Sequence, residues 1–431
     1  MRLIFVNRFF HPDHSATSQM LTDLATGLAA EGRDVIVVTS RLRYDDSKAR
    51  LAPCESFDGV SIERIWTSRF GRARLLCRAV DYLTFYASAA YALALTVRPG
   101  DIVVAMTDPP ALSVVAAIVA KCRGAVLVNW LQDVFPEVAE ALNVGGRHSS
   151  LLFTALRVLR NVSLRRADMN VVIGELMAAR LRSFAVDQDR IATIPNWADV
   201  NAVRPVRVED NDLRRQWNLA GEFVVAYSGN LGRAHDVETV LGAIAAMAKT
   251  DAAKNKIRWL FIGGGALYEQ LRRESEQRAY AHVIFRPYQP RESLSESISV
   301  ADAHIVSLKP ELEGSIVPSK FYGIAAAGRP TIFIGSPEGE IAHLISRHGC
   351  GATVNCGDSV ALVATVTAMA ESPHLCRAMG DRARAMCEER FSKTSAIETW
   401  QRLVGSVARS AETGSREVLP AMPPIEDYRK S

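Results

Sequence analysis

Two series of short apolar segments most constrain how this chain of 431 residues can fold. In each series, the apolar runs alternate with longer stretches in which apolar residues recur at helical spacing. Continuous apolar runs between helices are typical of parallel strands that are covered on both faces. The first series is Leu3–Val6, Val35–Thr39, Ile102–Ala105, Val126–Trp130, Met169–Ile173 and Arg190–Ile194, and the second is Phe223–Tyr227, Ile257–Ile262, His282–Phe285, His304–Leu308, Thr331–Ile334 and Ala352–Val354. We therefore predict an α/β fold with two doubly wound, Rossmann-like domains that face each other across a cleft.

The short segment Pro195-Asn196-Trp197 lies between the two series and is the expected hinge. A chain of this length usually forms more than one domain, because single cores stop growing at about 250–300 residues. We predict domains over residues 1–195 and 196–393, followed by a helix over 394–409 that packs back on the first domain. The tail over 410–431 lacks apolar periodicity and is expected to be disordered.

Composition excludes several classes of protein. The formal net charge of +4 is too small to indicate a nucleic-acid-binding protein. The seven cysteines are irregularly spaced and odd in number, which argues against a metal cluster and a disulfide framework. The apolar start of the chain is too short for a signal peptide. We therefore expect a cytoplasmic protein without a nucleic-acid partner.

The segment Ile305–Pro330 predicts an anion site. It reads as a strand, a polar loop and a helix that begins after Ser319, the expected N-cap. The first turn of a helix presents unpaired N–H groups to a ligand, and Lys320 would add a full positive charge. Gly328 is the expected C-terminal stop of this helix. The alternative is an ordinary helix connection without a ligand.

Two glycine-rich segments follow other strands of the second series. Phe223–Ala234 runs from a strand into Ser228-Gly229-Asn230-Leu231-Gly232-Arg233, and Trp259–Leu267 runs from a strand into Gly263-Gly264-Gly265. The first segment is not the dinucleotide-binding fingerprint, because the third glycine is missing and a basic residue lies in the turn. Because the carboxyl ends of parallel strands meet at one sheet edge, we expect a shared ligand crevice, where Arg233 and Lys320 bind phosphate. Gly229, Gly232 and Gly264 either admit the phosphates to backbone amides or serve as turn glycines.

These segments, together with Arg286-Pro287-Tyr288, resemble the nucleotide-sugar half of retaining GT-B glycosyltransferases of family four, in the bacterial exopolysaccharide and O-antigen branch. The amino-terminal half agrees. Phe9–Thr39 is similar to the opening strand, acceptor loop, helix and second strand of that family, and Trp130–Glu137 to its His-Asp-x-x-Pro-Glu segment. Ile194–Asp199 resembles the interdomain hinge. The resemblance covers roughly Met1 to Arg409.

The resemblance implies a transferase that moves a hexosyl or N-acetylhexosaminyl group, with retention, from a UDP- or GDP-type donor to a polyprenyl-linked glycan. It implies no cofactor and no metal. The implied catalytic residues are Asp133, Arg233 and Lys320, and the implied donor-binding residues are Gly229, Asn230, Gly232, Gly264, Tyr288 and Ser319.

The chain departs from the family pattern at several positions. The two glutamates of the family's Glu-(seven residues)-Glu motif are replaced by Ser315 and Gly323, and the histidine of the catalytic segment by Gln132. The ribose contact would then come from Glu338 or Glu340, which follow the next strand.

Asp133 and the first strand-to-helix loop are the candidate acceptor residues. Asp133 either positions the acceptor hydroxyl and stabilises positive charge at the anomeric carbon, or caps the helix that Pro136-Glu137 begins. In the segment His11–Gln19, His14, Ser15 and Thr17 are expected to bind sugar hydroxyls, although Ser15 or Thr17 could simply cap the helix. A metal site at His11, Asp13 and His14 is disfavoured because no further ligand cluster supports it.

One stretch predicts contact with an anionic membrane surface. Arg69, Phe70, Arg72, Arg74 and Arg78 lead into the apolar segment Ala79–Val97, and Arg157, Arg160, Arg165 and Arg166 are expected to extend the basic surface. Such a surface would hold the enzyme peripherally on the inner face of the cell membrane, beside a lipid-linked acceptor. The alternative is a buried domain helix beneath an exposed basic loop.

Two other functions remain open at the level of sequence. The first is a nucleotide-sugar epimerase, which would release nucleotide without any acceptor. The second is a non-catalytic scaffold that binds nucleotide-sugar or glycan, as the missing glutamate pair suggests.

Overall fold

The computed structural model describes residues 1–44, 46, 48–71, 75–144, 150–249 and 256–413. They form two compact units. Unit 1 contains Met1–Pro195, the short segment Gly314–Ile316 and the chain from Ala396 on, and unit 2 contains Asn196–Glu313 and Val317–Ser395.

Unit 1 is built on an eight-stranded sheet of order β3-β4-β2-β1-β5-β6-β7-β8. Its strands are Leu3–Val6 (β1), Val35–Ser40 (β2), Cys54–Phe57 (β3), Val60–Ile65 (β4), Ile102–Ala105 (β5), Val126–Trp130 (β6), Met169–Val172 (β7) and Ile191–Thr193 (β8). Its helices are Ala16–Ala30 (α1), Leu75–Thr96 (α2), Leu112–Arg123 (α3), Glu137–Ala141 (α4), Ser150–Arg166 (α5) and Glu175–Ser183 (α6). Only β3 is antiparallel to its neighbour in the register of these strands.

Alternation along the strands of unit 1 divides the core between two faces of the sheet. Ile4 and Val6 pack against the inner faces of α2 and α3, which contribute Phe85 and Ala116. Right-handed crossovers place α1 on the opposite face, because β1 connects to β2 in the other direction along the sheet.

Unit 2 contains a six-stranded parallel sheet of order β11-β10-β9-β12-β13-β14. Its strands are Phe223–Asn230 (β9), Ile257–Gly264 (β10), Val283–Arg286 (β11), Ala303–Ser307 (β12), Thr331–Ile334 (β13) and Gly351–Val354 (β14). Its helices are Asp212–Gln216 (α7), Glu238–Lys249 (α8), Ala266–Gln277 (α9), Leu294–Ser299 (α10), Lys320–Ala326 (α11), Glu340–His348 (α12), Ser359–Glu371 (α13) and Pro373–Arg390 (α14). The last helix among the described residues is Lys393–Thr413 (α15).

The structure confirms two Rossmann-like α/β domains and differs from the sequence prediction in detail. The hairpin of β3 and β4 was not predicted, because β3 is exposed and carries little apolar signal. The last helix continues four residues beyond Arg409, so Ser410–Thr413 are helical, contrary to the predicted disorder. Residues 414–431 lie outside the described residues. In unit 1, Ile397 of α15 reaches the position where a side chain on Gly27 of α1 would lie, so these two helices approach closely there.

The apolar segment Ala79–Val97, for which membrane contact was predicted, lies almost entirely in α2. Among the helices that the structure describes, none could cross a bilayer. Asp81, the charge within that segment, is buried. Its carboxylate accepts hydrogen bonds from Ser68 Oγ at 2.6 Å and from the backbone N–H groups of Phe70 and Gly71, both at 3.0 Å. It also lies 3.7 Å from the buried guanidinium of Arg8. Asp81 therefore holds the loop before α2 and pairs with the loop after β1.

Replacing Asp81 should destabilise unit 1. In Asp81→Ala the buried Arg8 loses its counter-charge and three donors lose their acceptor, and breaking a buried pair costs about 3–5 kcal/mol. Thermal unfolding followed by circular dichroism should show an unfolding transition several degrees below that of the wild type. Glu31→Ala, at an exposed position of the same unit, is the matched control. Equal midpoints for the two variants would contradict this role.

Candidate functional site

The predicted ligand residues of unit 2 lie along one edge of its sheet. Tyr288 follows β11, Gly264 ends β10, Asn230 ends β9, Lys320 follows β12 and Glu340 follows β13. These are five adjacent strands, so the loops span four strand spacings, or about 19 Å. This length suits an extended ligand with several polar groups.

The centre of this edge is the point where the sheet changes its winding direction. The chain passes from β9 to β10 on one side, whereas β12 lies on the other side of β9. In open α/β sheets, ligands bind in the crevice outside the strands at this point. His235, in the loop after β9, spans the gap, because its Nδ1 lies 2.6 Å from the carbonyl oxygen of Ser307 at the end of β12.

Lys320 projects into the same place, and the hydrogen-bond partners of its amine among the described residues are neutral groups. Its Nζ donates hydrogen bonds to the hydroxyl of Tyr227 and, at 3.3 Å, to the carbonyl oxygen of Asn230. The same nitrogen lies 4.1 Å from the centre of the Tyr227 ring. Burial lowers the pKa of Lys320 from 10.5 to about 7. A desolvated amine without a carboxylate among these partners is suited to accept an anionic ligand.

Tyr227 and His235 support Lys320, and the sequence analysis did not identify either residue. Tyr227 is buried in β9, and its hydroxyl donates to the carbonyl oxygen of Asn230 at 2.8 Å. Burial, followed by the charge of Lys320, lowers the pKa of His235 to about 3, so its imidazole is neutral at physiological pH. A neutral histidine leaves Lys320 as the titratable cation of this cluster. Their signal in the sequence was only their proximity to Ser228–Arg233.

The two glycine segments lie side by side, because strand pairing continues into them. Gly263 pairs with Gly229, and Gly264 pairs with Asn230. Gly263 has a φ of +130°, and a side chain on it would collide with the carbonyl of Gly229. Gly265, with a φ of +121°, likewise approaches the Asn230 side chain. Both positions require glycine.

Gly264 and Gly232 differ from those positions, since neither is among the residues with positive φ. A Cβ on Gly264 would lie 3.2 Å from the ring of Tyr288, which is largely exposed. A Cβ on Gly232 would lie 3.4 Å from the Asn230 side chain. Arg233, the next residue, is exposed at the same loop.

Ser319 occupies the N-cap position before α11, but the expectation that its side chain caps the helix is wrong. Ser319 has helical φ and ψ angles of −61° and −23°, and its side chain makes no cap hydrogen bond. The helix that follows, α11, has only seven residues. The positive charge that this segment offers to a ligand is therefore that of the Lys320 side chain. Gly328 does end the helix segment, with a left-handed φ of +64°.

Three glutamates lie at the β12 and β13 end of the edge. The carboxylate of Glu313 lies at the start of α12 and accepts from the Glu340 backbone N–H at 3.4 Å. Burial, together with the nearby Glu340 charge, raises the pKa of Glu313 to about 7, although the same hydrogen bond opposes the shift. Glu340 is buried, whereas Glu338 is exposed and lies 3.6 Å from His343 Nε2. The sequence analysis passed over Glu313.

In unit 1, Asp133 follows β6 and lines a small pocket with Thr107, Asn129 and Arg160. The N-cap position of α4 is Pro136, which supplies no side-chain cap, so a capping role for Asp133 finds no support. Burial, followed by the charge of Asp108, raises the pKa of Asp133 to about 7, and a hydrogen bond with Thr107 partly opposes the shift. Asp133 can therefore exchange a proton near neutral pH.

The loop after β1 contains the other predicted acceptor residues. His14 is exposed, and Thr17 is partly exposed in the first turn of α1. Ser15 is the N-cap residue of that helix, but its side chain makes no cap hydrogen bond. Asp13 is buried and structural, since its carboxylate accepts from the backbone N–H groups of Ser15, at 2.7 Å, and Tyr44. No cluster of three potential metal ligands occurs in the part of the chain that the structure describes.

Comparison with known proteins assigns both halves of the chain. Residues 16–197 match the family described as glycosyl transferase 4-like domain, and residues 209–386 match glycosyl transferases group 1. The chain is 27% identical over 332 residues to the probable glycosyltransferase WbjE of Pseudomonas aeruginosa. This alignment covers 77% of this chain and 80% of that protein.

Solved structures share the fold. Sucrose-phosphate synthase from Thermosynechococcus elongatus aligns with a TM-score of 0.74 at 18% identity, covering 96% of this chain and all of that one. Anabaena HepE, solved in complex with UDP-glucose, aligns with a TM-score of 0.70 at 16% identity, covering 94% of this chain and all of that one. The chain is a glycosyltransferase of the GT-B type.

Lys320 should make nucleoside diphosphate binding depend on pH. The free enzyme loses the Lys320 proton above a pKa of about 7, whereas the bound anion favours the charged amine. Affinity should therefore fall as pH rises from 7 to 9, approaching about ten-fold per pH unit, in a range where the terminal phosphate is already ionised. Titration calorimetry with UDP and with GDP measures this dependence.

Lys320→Met should bind weakly and lose that dependence. Lys249→Met replaces an exposed lysine at the end of α8 and should behave like the wild type. A wild-type affinity that stays constant between pH 7 and 9 would remove Lys320 from the binding site.

Proposed function

We propose that this GT-B glycosyltransferase transfers a hexosyl or N-acetylhexosaminyl group, with retention, from a UDP- or GDP-sugar to a polyprenyl-linked bacterial surface glycan. The observation that carries the proposal is Lys320, a desolvated amine held by neutral partners at the winding switch of unit 2. The HepE complex with UDP-glucose supports the donor class, and the similarity to WbjE supports a bacterial glycosyltransferase.

In this proposal, unit 2 binds the donor and stabilises its leaving diphosphate. Departure of the nucleoside diphosphate increases negative charge on its phosphate oxygens, which Lys320 and Arg233 neutralise. The backbone at Gly229, Gly232 and Gly264 lies beside the phosphates, and Asn230 orients them. Tyr227 holds the Lys320 amine in place.

The remaining donor contacts are assigned to the two ends of the edge. The exposed ring of Tyr288 offers an apolar face at the β11 end. The ribose hydroxyls bind at the other end, to the carboxylates of the Glu338–Glu340 segment. Ser319, next to Lys320, lies between the two ends of the edge. The distance of about 19 Å across these strands accommodates a base, a ribose and a diphosphate.

Unit 1 binds the acceptor. His14, Ser15 and Thr17 contact its sugar hydroxyls, and Asp133 positions the reacting hydroxyl. A donor phosphate oxygen receives the proton of that hydroxyl as the new glycosidic bond forms on the face that the diphosphate leaves, so no protein nucleophile is required. Asp133 also stabilises positive charge at the anomeric carbon when it is ionised.

The acceptor lipid implies a location on the inner face of the cell membrane. Arg69 and Phe70 are exposed in the loop before α2, while Arg72 and Arg74 lie outside the described residues. The expectation that Arg160 extends the basic surface is wrong, because Arg160 is buried and paired with Glu137 of α4. Arg157 is partly exposed and forms an ion pair with Glu140 of the same helix. Arg165 and Arg166 are exposed.

Sugar transfer from a panel of labelled UDP-, GDP- and dTDP-sugars, with and without a polyprenyl-linked glycan acceptor, tests the proposal. We expect acceptor-dependent transfer from one donor, with the anomeric configuration retained in the product. Free nucleotide formed at the same rate without acceptor, or an epimerised sugar, would overturn the proposal, and so would binding without any turnover.

Removing either cation of the donor site should slow transfer without unfolding the protein. Lys320→Ala and Arg233→Ala should each lower kcat/KM by about 100- to 1,000-fold, because each removes charge stabilisation of the leaving diphosphate. Arg278→Ala, at an exposed position of the same unit, is the control and should transfer at the wild-type rate. A folded variant at either site that keeps wild-type kinetics would exclude that residue from the mechanism.

Transfer should survive chelation of divalent metal ions. In the proposal Lys320 and Arg233 supply the positive charge. The chain contains two Asp-x-Asp sequences, Asp187–Asp189 and Asp210–Asp212, and neither lies in the loops after β9–β13 that form the proposed donor site. Initial rates with and without EDTA should agree. Loss of transfer in EDTA, followed by recovery with magnesium or manganese, would contradict the donor site as proposed.

A further inference from the structure

Helix α2 is apolar on the face that it turns to solvent as well as on the face that it buries. Phe85, Ala89, Leu93 and Val97 belong to the core of unit 1 or border it. The outward face exposes Leu76, Val80, Leu83, Tyr91 and Leu95, whose spacing places them along one side of the helix. A surface helix normally carries polar residues there, so this face indicates a partner.

The neighbouring helices continue the apolar surface. Helix α3 packs between α2 and α5 and exposes Ile118. Helix α5 exposes Leu151, Leu152, Val158 and Leu159, again at helical spacing. With axes about 8–10 Å apart and 22 residues in α2, the three outward faces cover an area of about 20 Å by 30 Å. We call this area the α2–α3–α5 face.

The exposed charges around this face are mainly positive, with Asp168, which follows α5, as an exception. The three helices contain a single carboxylate, that of Asp81, which is buried and faces the preceding loop. Their carboxyl-terminal ends lie at one edge of the parallel sheet, and that edge exposes Arg98, Lys121, Arg123, Arg165 and Arg166. The loop before α2 adds exposed Trp66, Arg69 and Phe70. An anionic partner with an apolar layer matches this surface.

We infer that the α2–α3–α5 face docks on an anionic lipid bilayer, with its apolar side chains at the boundary between headgroups and acyl chains and its basic edge against lipid phosphates. Apolar faces, basic residues and interfacial aromatic rings are typical of helices that lie in a membrane surface. A second copy of this chain is a poorer occupant, because it would bring two positive surfaces together. The inference deepens the proposed function, on whose membrane-linked acceptor it rests.

Docking on this face would place the loop before α2 at the membrane together with the loop that follows β1. Asp81 joins these two loops, since it accepts hydrogen bonds from the first loop and pairs with Arg8 in the second. The second loop carries His14 and Ser15, the proposed acceptor residues. The α2–α3–α5 face would thus position the acceptor loop of unit 1 relative to lipid-linked sugar.

Co-sedimentation with vesicles of phosphatidylethanolamine and phosphatidylglycerol tests the inference on the full chain. The wild type should sediment with the vesicles. The affinity of the triple variant Leu83→Glu, Tyr91→Glu and Leu95→Glu for the vesicles should be lower by at least about ten-fold. The matched control is Val360→Glu with Leu375→Glu, two exposed apolar residues of unit 2. It should bind like the wild type. Thermal unfolding establishes that both variants are folded.

Three results would overturn the inference. These are wild-type protein that stays in the supernatant at low salt, a folded triple variant that binds vesicles like the wild type, and a dimer that the triple variant dissociates while the wild type ignores vesicles. Nucleotide binding by the same proteins separates this inference from the proposed function. Intact vesicle binding without affinity for UDP- or GDP-sugars would contradict the donor proposal alone. Affinity for these sugars without vesicle binding would contradict only the docking of the α2–α3–α5 face.

Discussion

The contact between Lys320 and the neutral end of β9 is the interaction on which the proposed donor site depends. The amine has lost much of its hydration. It donates hydrogen bonds to a phenol hydroxyl and a backbone carbonyl, which cannot neutralise its positive charge. This arrangement costs stability in the free protein, because burial disfavours the charged amine. An entering diphosphate would restore the missing counter-charge, so the cost would become a contribution to binding.

Strand pairing explains how the fold can maintain this contact. Strands β9 and β10 remain paired through Gly229 and Gly263, so the loop backbone stays fixed beneath Lys320. Positive φ angles at Gly263 and Gly265, and the absence of side chains there, allow the two backbone segments to approach more closely than other residues would permit. The glycines thus act mainly through the geometry of the edge.

Much of the fold followed from the sequence, whereas the site followed only in part. Buried parallel strands such as β1 and β13 carry uninterrupted apolar runs, which is why both series were found. The exposed hairpin strand β3 has no such run. Lys320 was found from its loop, but Ser319 failed as a cap, because backbone angles at a helix start cannot be predicted from residue type alone. Tyr227 and Glu313 were not predicted, because their electrostatic environment arises from burial in the folded protein, which residue type does not reveal.

In the proposed function, the Lys320 amine is the cation that binds the donor diphosphate. Lysine side chains labelled with ¹³C at Cε report the pKa of each amine by NMR, and Lys320→Met assigns the signal. We expect a Lys320 pKa of about 7 in the free protein and a rise of at least about one unit when UDP or GDP is added. A Lys320 signal with an ordinary lysine pKa, or one that nucleoside diphosphate leaves unchanged, would contradict this role of Lys320.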